Sequence, residues 1–189
     1  MTELGLSWLW VNYSILKNPF AISGLWLGHQ HDVTCCDVID GMLASGSADK
    51  LVRLWRYSAG KFIQSSNSPL SGHKYAVTSV KFSSDKKKIV SSSLDGSIIV
   101  WMVESGEIIH KFDHEESIAF RVVDLSVEGG LIAAGCDDNM MHIWNFESGT
   151  SVQCSWHENT VLAVSFSPNC QFVASGCSGE MEFLNQKIY

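Results

Sequence analysis

Nothing in the sequence is spaced like a reactive centre. The six cysteines, at 35, 36, 136, 154, 170 and 177, include no C-x-x-C pair and have no small secreted scaffold around them. They read as the reduced thiols of an intracellular, cytoplasmic chain. Basic residues are also short: 13 Lys and Arg against 20 Asp and Glu leave a net charge of −7. Such a surface repels phosphate backbones, so nucleic acid is not an expected partner. The one basic run, "DKKK" at Asp85 to Lys88, lies between two strand-like segments and reads as a polar turn. No long apolar segment is present either. The run from Leu4 to Leu16 has no basic stretch before it and is shorter than the roughly 20 residues a spanning helix needs, so no membrane role is expected. "SGSADK" lacks the spacing of a phosphate-binding loop. No window shows a sustained helical period, which excludes β-α-β units and a parallel sheet.

What is present is repetition. "SGSADKLVRLW" (Ser45 to Trp55) returns as "SSSLDGSIIVW" (Ser91 to Trp101), and Trp144 follows after a similar interval. A period of about 40 to 45 residues is the spacing of propeller blades. "GHQHDVTCCDV", "GHKYAVTSVKF" and "WHENTVLAVSF" each set a valine four residues after a histidine. The third unit keeps the strand as "AFRVVDL" but has Glu116 at the histidine position. Short runs such as "VTSVKF", "KIVSSS" and "SIIVWMV" are strand signals, separated by turn-formers such as "SSDKK", "LDG" and "ESGE". The reading is all-β, with four antiparallel strands per unit. An isolated sheet of this kind cannot bury its apolar faces alone, and stacking on its neighbours supplies the missing partner. The 46% hydrophobic content supports a folded chain rather than a disordered one.

The pattern "GH…VTSVKFS…IVSSSLDGSIIVW" resembles the WD-repeat family of β-propellers over about Leu25 to Asn185. Each of Trp55, Trp101 and Trp144 has an aspartate six positions earlier (Asp49, Asp95, Asp138), although Arg56, Met102 and Asn145 stand where the family commonly has aspartate after the tryptophan. The expected organisation is a non-repeat extension at 1–24, which carries Trp8 and Trp10. A propeller domain follows at 25–189, with units at about 25–68, 69–112, 113–154 and 155–189. About four blades are fewer than the seven or so that the family usually has. An incomplete or open propeller is therefore expected, and its open edges offer a route to self-association.

The resemblance implies a hydrogen-bonded set in each unit that links histidine, serine, aspartate and tryptophan. Unit one supplies His29, Ser45, Asp49 and Trp55, and unit two supplies His73, Ser91, Asp95 and Trp101. In unit three, Asp138 and Trp144 are expected to lack two partners, because Glu116 and Ala134 replace histidine and serine. Unit four keeps His157 and Ser175 but has Gly179 at the aspartate position. A catalytic triad would use the same residue types, yet a catalytic set is needed once and this one recurs. No catalysis is expected. Nor is any cofactor or metal: His29, His31, Cys35 and Cys36 have poor ligand spacing, and Cys36 aligns with Val80, Val123 and Val164 on the apolar side of a strand.

The expected function is a non-catalytic scaffold that binds other proteins through loops on a rigid frame. Candidate contacts are exposed residues beside the repeated histidine and the aspartate turn: Gln30, Asp32, Ala48, Lys74, Tyr75, Leu94, Asp137 and Glu158. A finer similarity, in "HDVTCCDV" and "SPLSGHKYAVTSVKFS", is to propellers joined to SAM and U-box domains. It implies an alternative role as the substrate-recruiting part of a ubiquitin ligase, with the transfer chemistry supplied by a module outside these residues.

Overall fold

The computed structural model describes residues 28–126 and 130–178; the 1–24 extension and Gly179 lie outside them. Every regular element described is a strand, and the strands form four antiparallel sheets. The first contains β1 (Val33–Ile39), β2 (Met42–Ser47), β3 (Leu51–Ser58) and β4 (Lys61–Gln64), with the short β5 (Leu70–Ser71) also paired to β3. The second contains β6 (Val77–Phe82), β7 (Lys88–Ser93), β8 (Ser97–Met102) and β9 (Ile108–Asp113). The third contains β10 (Phe120–Leu125), β11 (Leu131–Cys136), β12 (Met140–Asn145) and β13 (Ser151–Trp156), and the fourth pairs β14 (Val161–Phe166) with β15 (Val173–Cys177).

Local chemistry sets this up-and-down order. The β1–β2 connection is the dipeptide Asp40-Gly41 with φ of +39° and +76°. Two left-handed residues are what a tight hairpin needs, and Asp-Gly is among the sequences that supply them at least cost. The first strand of every sheet carries one irregularity at the same place, between Val33 and Cys35, Val77 and Ser79, Phe120 and Val122, and Val161 and Ala163. The residue left over at each irregularity is Thr34, Thr78, Arg121 or Leu162. Thr34 donates its hydroxyl to the Val77 carbonyl of the next sheet, and Thr78 does the same to Phe120 at 2.8 Å.

The sheets stack in chain order. β6 packs on β1 and β2, β10 on β6 and β7, and β14 on β10 and β11. Three apolar clusters fill the three seams. Ala44, Val52 and Leu54 of the first sheet meet Val77, Val80, Phe82 and Trp101 of the second. Val90, Ile98 and Val100 meet Phe120, Val123 and Ile132 of the third, and Ala133, Met141 and Ile143 meet Val161, Val164 and Phe166 of the fourth. Burying each Val, Ile or Phe contributes about 1.5–3 kcal/mol, so the seams hold most of the hydrophobic stabilisation.

Each seam also has polar bolts. Asp37 accepts the Phe82 amide and Asp124 accepts the Phe166 amide, both at 2.8 Å and both from one sheet to the next. Close approach demands small residues: a Cβ on Gly46 would lie 2.6 Å from Val77 Cγ1, and one on Gly135 would lie 2.5 Å from the Val161 carbonyl oxygen. The three serines ending β7 are fully buried, and Ser92 bonds Thr78 Oγ1 at 2.8 Å while Ser93 donates to the Tyr75 carbonyl at 3.2 Å.

One expectation is corrected here. Cys36 occupies the strand position of Val80, Val123 and Val164, yet those three are buried and Cys36 is exposed. Its side of β1 faces away from the first seam, so among the described residues no sheet covers it.

Candidate functional site: one end of the sheet stack

The loops before β1, β6, β10 and β14, and the turns after β2, β7 and β11, gather at one end of the stack. Beneath them lie the polar sets. In unit one, the Trp55 indole donates to Ser45 Oγ at 3.1 Å, Ser45 meets His29 Nε2 at 2.8 Å, and His29 Nδ1 reaches Asp49 Oδ2 at 2.9 Å. Since Ser45 has one hydroxyl proton and already accepts from the indole, it donates to His29, and His29 donates onward to Asp49. The set is a directed chain ending on a carboxylate. Asp49 also receives the amides of Gln30 and Leu51, which fixes both the loop and the turn.

Unit two differs by one insertion. Trp101 donates to Ser91 at 2.8 Å, and Ser91 meets His73 Nε2 at 2.7 Å. His73 Nδ1 then contacts Ser97 Oγ at 2.8 Å, and Ser97 donates to Asp95 Oδ1 at 2.5 Å. His73 and Asp95 are 3.7 Å apart, so the serine carries the connection. Ser97 starts β8 where the other units have Leu51 and Met140. A serine opening an otherwise apolar strand was the signal available in the sequence. Burial alone would raise the Asp95 carboxyl, but the hydrogen bonds on it outweigh burial and hold it well below the usual carboxylate range.

Unit three corrects the expectation of a missing histidine. The inward-turned histidine stands six residues before its strand rather than four, so it is His114 rather than residue 116, with its Nε2 3.0 Å from Asp138 Oδ2. A second imidazole, His142, reaches the same oxygen at 2.7 Å. Asp138 is therefore doubly partnered. Ala134 gives the Trp144 indole no hydroxyl, and the ring stacks on His142 instead, with centroids 5.5 Å apart and planes 12° off parallel. Cys136 takes the place of Ser47 and Ser93, and burial pushes its thiol up to about 12. The donor atoms of His114, Cys136, Asp138 and His142 all lie within 4.8 Å of one another. In unit four, His157 Nε2 and Ser175 Oγ meet at 2.8 Å.

The Ser91 hydroxyl is held as a structural link rather than poised for attack. Ser91 is fully buried and its oxygen is engaged by both an indole and an imidazole. A nucleophile needs access to substrate and a free line of attack.

The rim above the sets is where a partner could touch. Gln30, Asp32, Lys74, Tyr75, Leu94 and Glu158 are exposed, with Tyr75 at 61%. Ala48 and Asp137 are only half-buried rather than exposed. The Ala48 amide is tied to the Asp32 carbonyl, and the Asp137 carboxylate is clamped by Arg121 through Nε at 2.7 Å and Nη2 at 2.5 Å. Lys50 lies 5.9 Å from the centre of the Tyr75 ring, joining the rims of the first two units. Sequence reasoning missed Trp156, which is 64% exposed at the same end. It stands where the first two units have Gly28 and Gly72, and a tryptophan replacing a glycine before the histidine was the available signal.

Four-stranded antiparallel sheets stacked first strand to first strand, each pinned by a buried polar set, define a β-propeller blade array. The chain matches the family described as WD domain, G-beta repeat over residues 22–56, 63–102, 106–145 and 149–181. It belongs to the WD40 repeat family. Among its relatives is the WD repeat, SAM and U-box domain-containing protein 1 of Danio rerio, 34% identical over 122 residues that cover 65% of this chain and 25% of that protein. Another is the pre-mRNA-processing factor 19 homolog 2 of Arabidopsis thaliana, 28% identical over 152 residues, covering 78% of this chain and 29% of that protein. A third is the U5 small nuclear ribonucleoprotein 40 kDa protein of Dictyostelium discoideum, 29% identical over 75% of this chain and 39% of that protein. The matched segments thus span well under half of each relative. The solved structure of the computationally designed Ika4 protein superposes with a TM-score of 0.72 over 84% of this chain and 94% of that one, at 23% identity. That likeness is one of fold.

Proposed function

We propose that the chain is a non-catalytic scaffold that recruits partner proteins through the loop end of its sheets. The observation that carries this is the exposure of Tyr75, Leu94 and Trp156 on one rim, above turns held rigid by the buried sets. Large aromatics on a fixed frame supply contact area at little conformational cost, and interfaces are enriched in them. Repeats of this family are typically non-catalytic and bind other proteins, which supports the same reading. Affinity capture with the chain carrying Lys74→Ala and Tyr75→Ala, or Trp156→Ala, tests it. Loss of the same captured proteins in both variants, with circular dichroism unchanged, is the expected result. Identical capture by all three chains counts against this surface.

A second reading rests on the relative that carries SAM and U-box domains. Here the same rim recruits substrate to a ubiquitin ligase whose transfer chemistry lies outside these residues. A longer product of the same locus that contains a U-box, and ubiquitin on proteins captured from cells expressing it, would favour this reading over a plain scaffold.

A further inference from the structure

We infer that the third unit holds a four-coordinate zinc site made by His114, Cys136, Asp138 and His142. The residues come from the loop before β10, the end of β11, the turn after it and the body of β12, and their donor atoms lie within 4.8 Å of one another. With zinc bonds of about 2.0–2.1 Å to nitrogen and oxygen and about 2.3 Å to sulfur, neighbouring donors in a tetrahedral site stand about 3.3–3.6 Å apart. The two imidazoles now sit 3.0 and 2.7 Å from Asp138 Oδ2. They spread slightly when a metal enters between them, while the thiol closes in.

Comparison of the units gives an independent argument. Where unit three has Cys136, the first two have Ser47 and Ser93; where it has His142, they have Arg53 and Ile99; where it has Ala134, they have Ser45 and Ser91. Unit three has thus given up the hydroxyl that links histidine to indole. In exchange it has gained a second imidazole bonded to the carboxylate and a thiol within 4.8 Å of it, which donates to the Ile118 carbonyl at 3.8 Å and would give up that bond to the metal. Three of the four positions hold residue types that zinc prefers, and the fourth is the shared aspartate.

Charge and surroundings suit the metal. One thiolate and one carboxylate neutralise the dication, which favours a site walled by Phe120 and Trp144, whose rings lie 5.8 and 5.5 Å from the His142 ring. With its Nε2 on the metal, His142 keeps a proton on Nδ1, which faces Cys154 Sγ at 3.3 Å, an outer partner that orients the ring. His114 requires one adjustment. Its Nδ1 now accepts the Glu116 amide at 3.1 Å and must carry a proton when Nε2 ligates, so that exposed amide turns to water. Binding takes up one Zn²⁺ and releases one proton from Cys136, with no change of oxidation state.

The test uses the full chain stripped with EDTA, dialysed against zinc and, separately, titrated with cobalt(II). One zinc per chain is expected, together with the strong visible bands of four-coordinate cobalt and a near-ultraviolet thiolate band. Cys136→Ser, which restores the residue type of the first two units and so preserves the fold, should abolish the thiolate band. His142→Ala should weaken zinc binding by more than about tenfold. Cys36→Ser, at an exposed cysteine of the first sheet, should change neither. Failure of the folded wild-type chain to bind one zinc overturns the site, as does a thiolate band that survives in Cys136→Ser with affinity unchanged.

Discussion

The indole of Trp101 and the imidazole of His73 meet at a single oxygen, Ser91 Oγ, at 2.8 and 2.7 Å. Removing that oxygen strands two polar groups in a buried place, and an unsatisfied buried donor or acceptor costs about 1–3 kcal/mol. Ser91→Ala should lower the stability of the chain in urea titration by about 1–3 kcal/mol for each of the two groups left without a partner. Ala134 already stands at this position in unit three, so Ala134→Ser should not produce a gain of equal size.

Asp95 makes the stability depend on pH. Its folded-state pKa lies below its unfolded one, so the folded chain keeps the carboxylate while the unfolded chain takes up a proton first. The stabilisation is complete above the unfolded value near 4 and declines as the pH falls toward the folded value. Asp49, held low in the same sense, adds to the trend. Thermal midpoints of the wild type should fall below about pH 5, and Asp95→Asn should show a lower midpoint at neutral pH with a shallower acid decline.

Gly135 and Gly176 hold equivalent places in β11 and β15, but among the described residues only the first has a sheet stacked over it. A Cβ on Gly135 would press on the Val161 backbone at 2.5 Å, whereas one on Gly176 would meet, among the described residues, only Ala163 Cβ at 3.8 Å. Gly135→Ala should cost about 1–3 kcal/mol by overpacking the seam. Gly176→Ala should fall within about 0.5 kcal/mol of the wild type, and paired chemical denaturation curves distinguish the two.

The bond from the Phe166 amide to Asp124 crosses a seam, so its loss is local. In Asp124→Ala, hydrogen exchange at Phe166 should accelerate well beyond that of the core amides of β11. Asp37→Ala should do the same at Phe82, whose amide bonds Asp37 at 2.8 Å.

Much of this architecture could be read from the sequence because it is written in spacing. The interval between tryptophans, the strand-sized apolar runs and the turn residues together define stacked four-stranded sheets. What spacing could not convey is which side chain turns inward when a loop changes length. His114 lies six residues before Phe120 rather than four, so counting pointed to Glu116. Ser97 stood out as a serine opening an apolar strand, but its role as a bridge could not be read from that, since it exists only because His73 and Asp95 stand too far apart to bond directly. Cys36 shows a third limit: its strand position is that of a buried residue, and its exposure depends on a neighbour rather than on itself.

Among the described residues the two inner sheets each touch the one before and the one after, through seams whose two sides differ. Such a stack behaves like a row of coupled links rather than a solid block, and its cooperativity is only as strong as its weakest joint. The second seam has Thr78 bonded to the Phe120 carbonyl, while at the third the corresponding residue is Arg121, which turns aside to Asp137. That joint relies on the Asp124–Phe166 bond instead, and once this bond gives under load across the stack it should part first. The fourth sheet would peel away while the Trp101 set still holds the middle of the row.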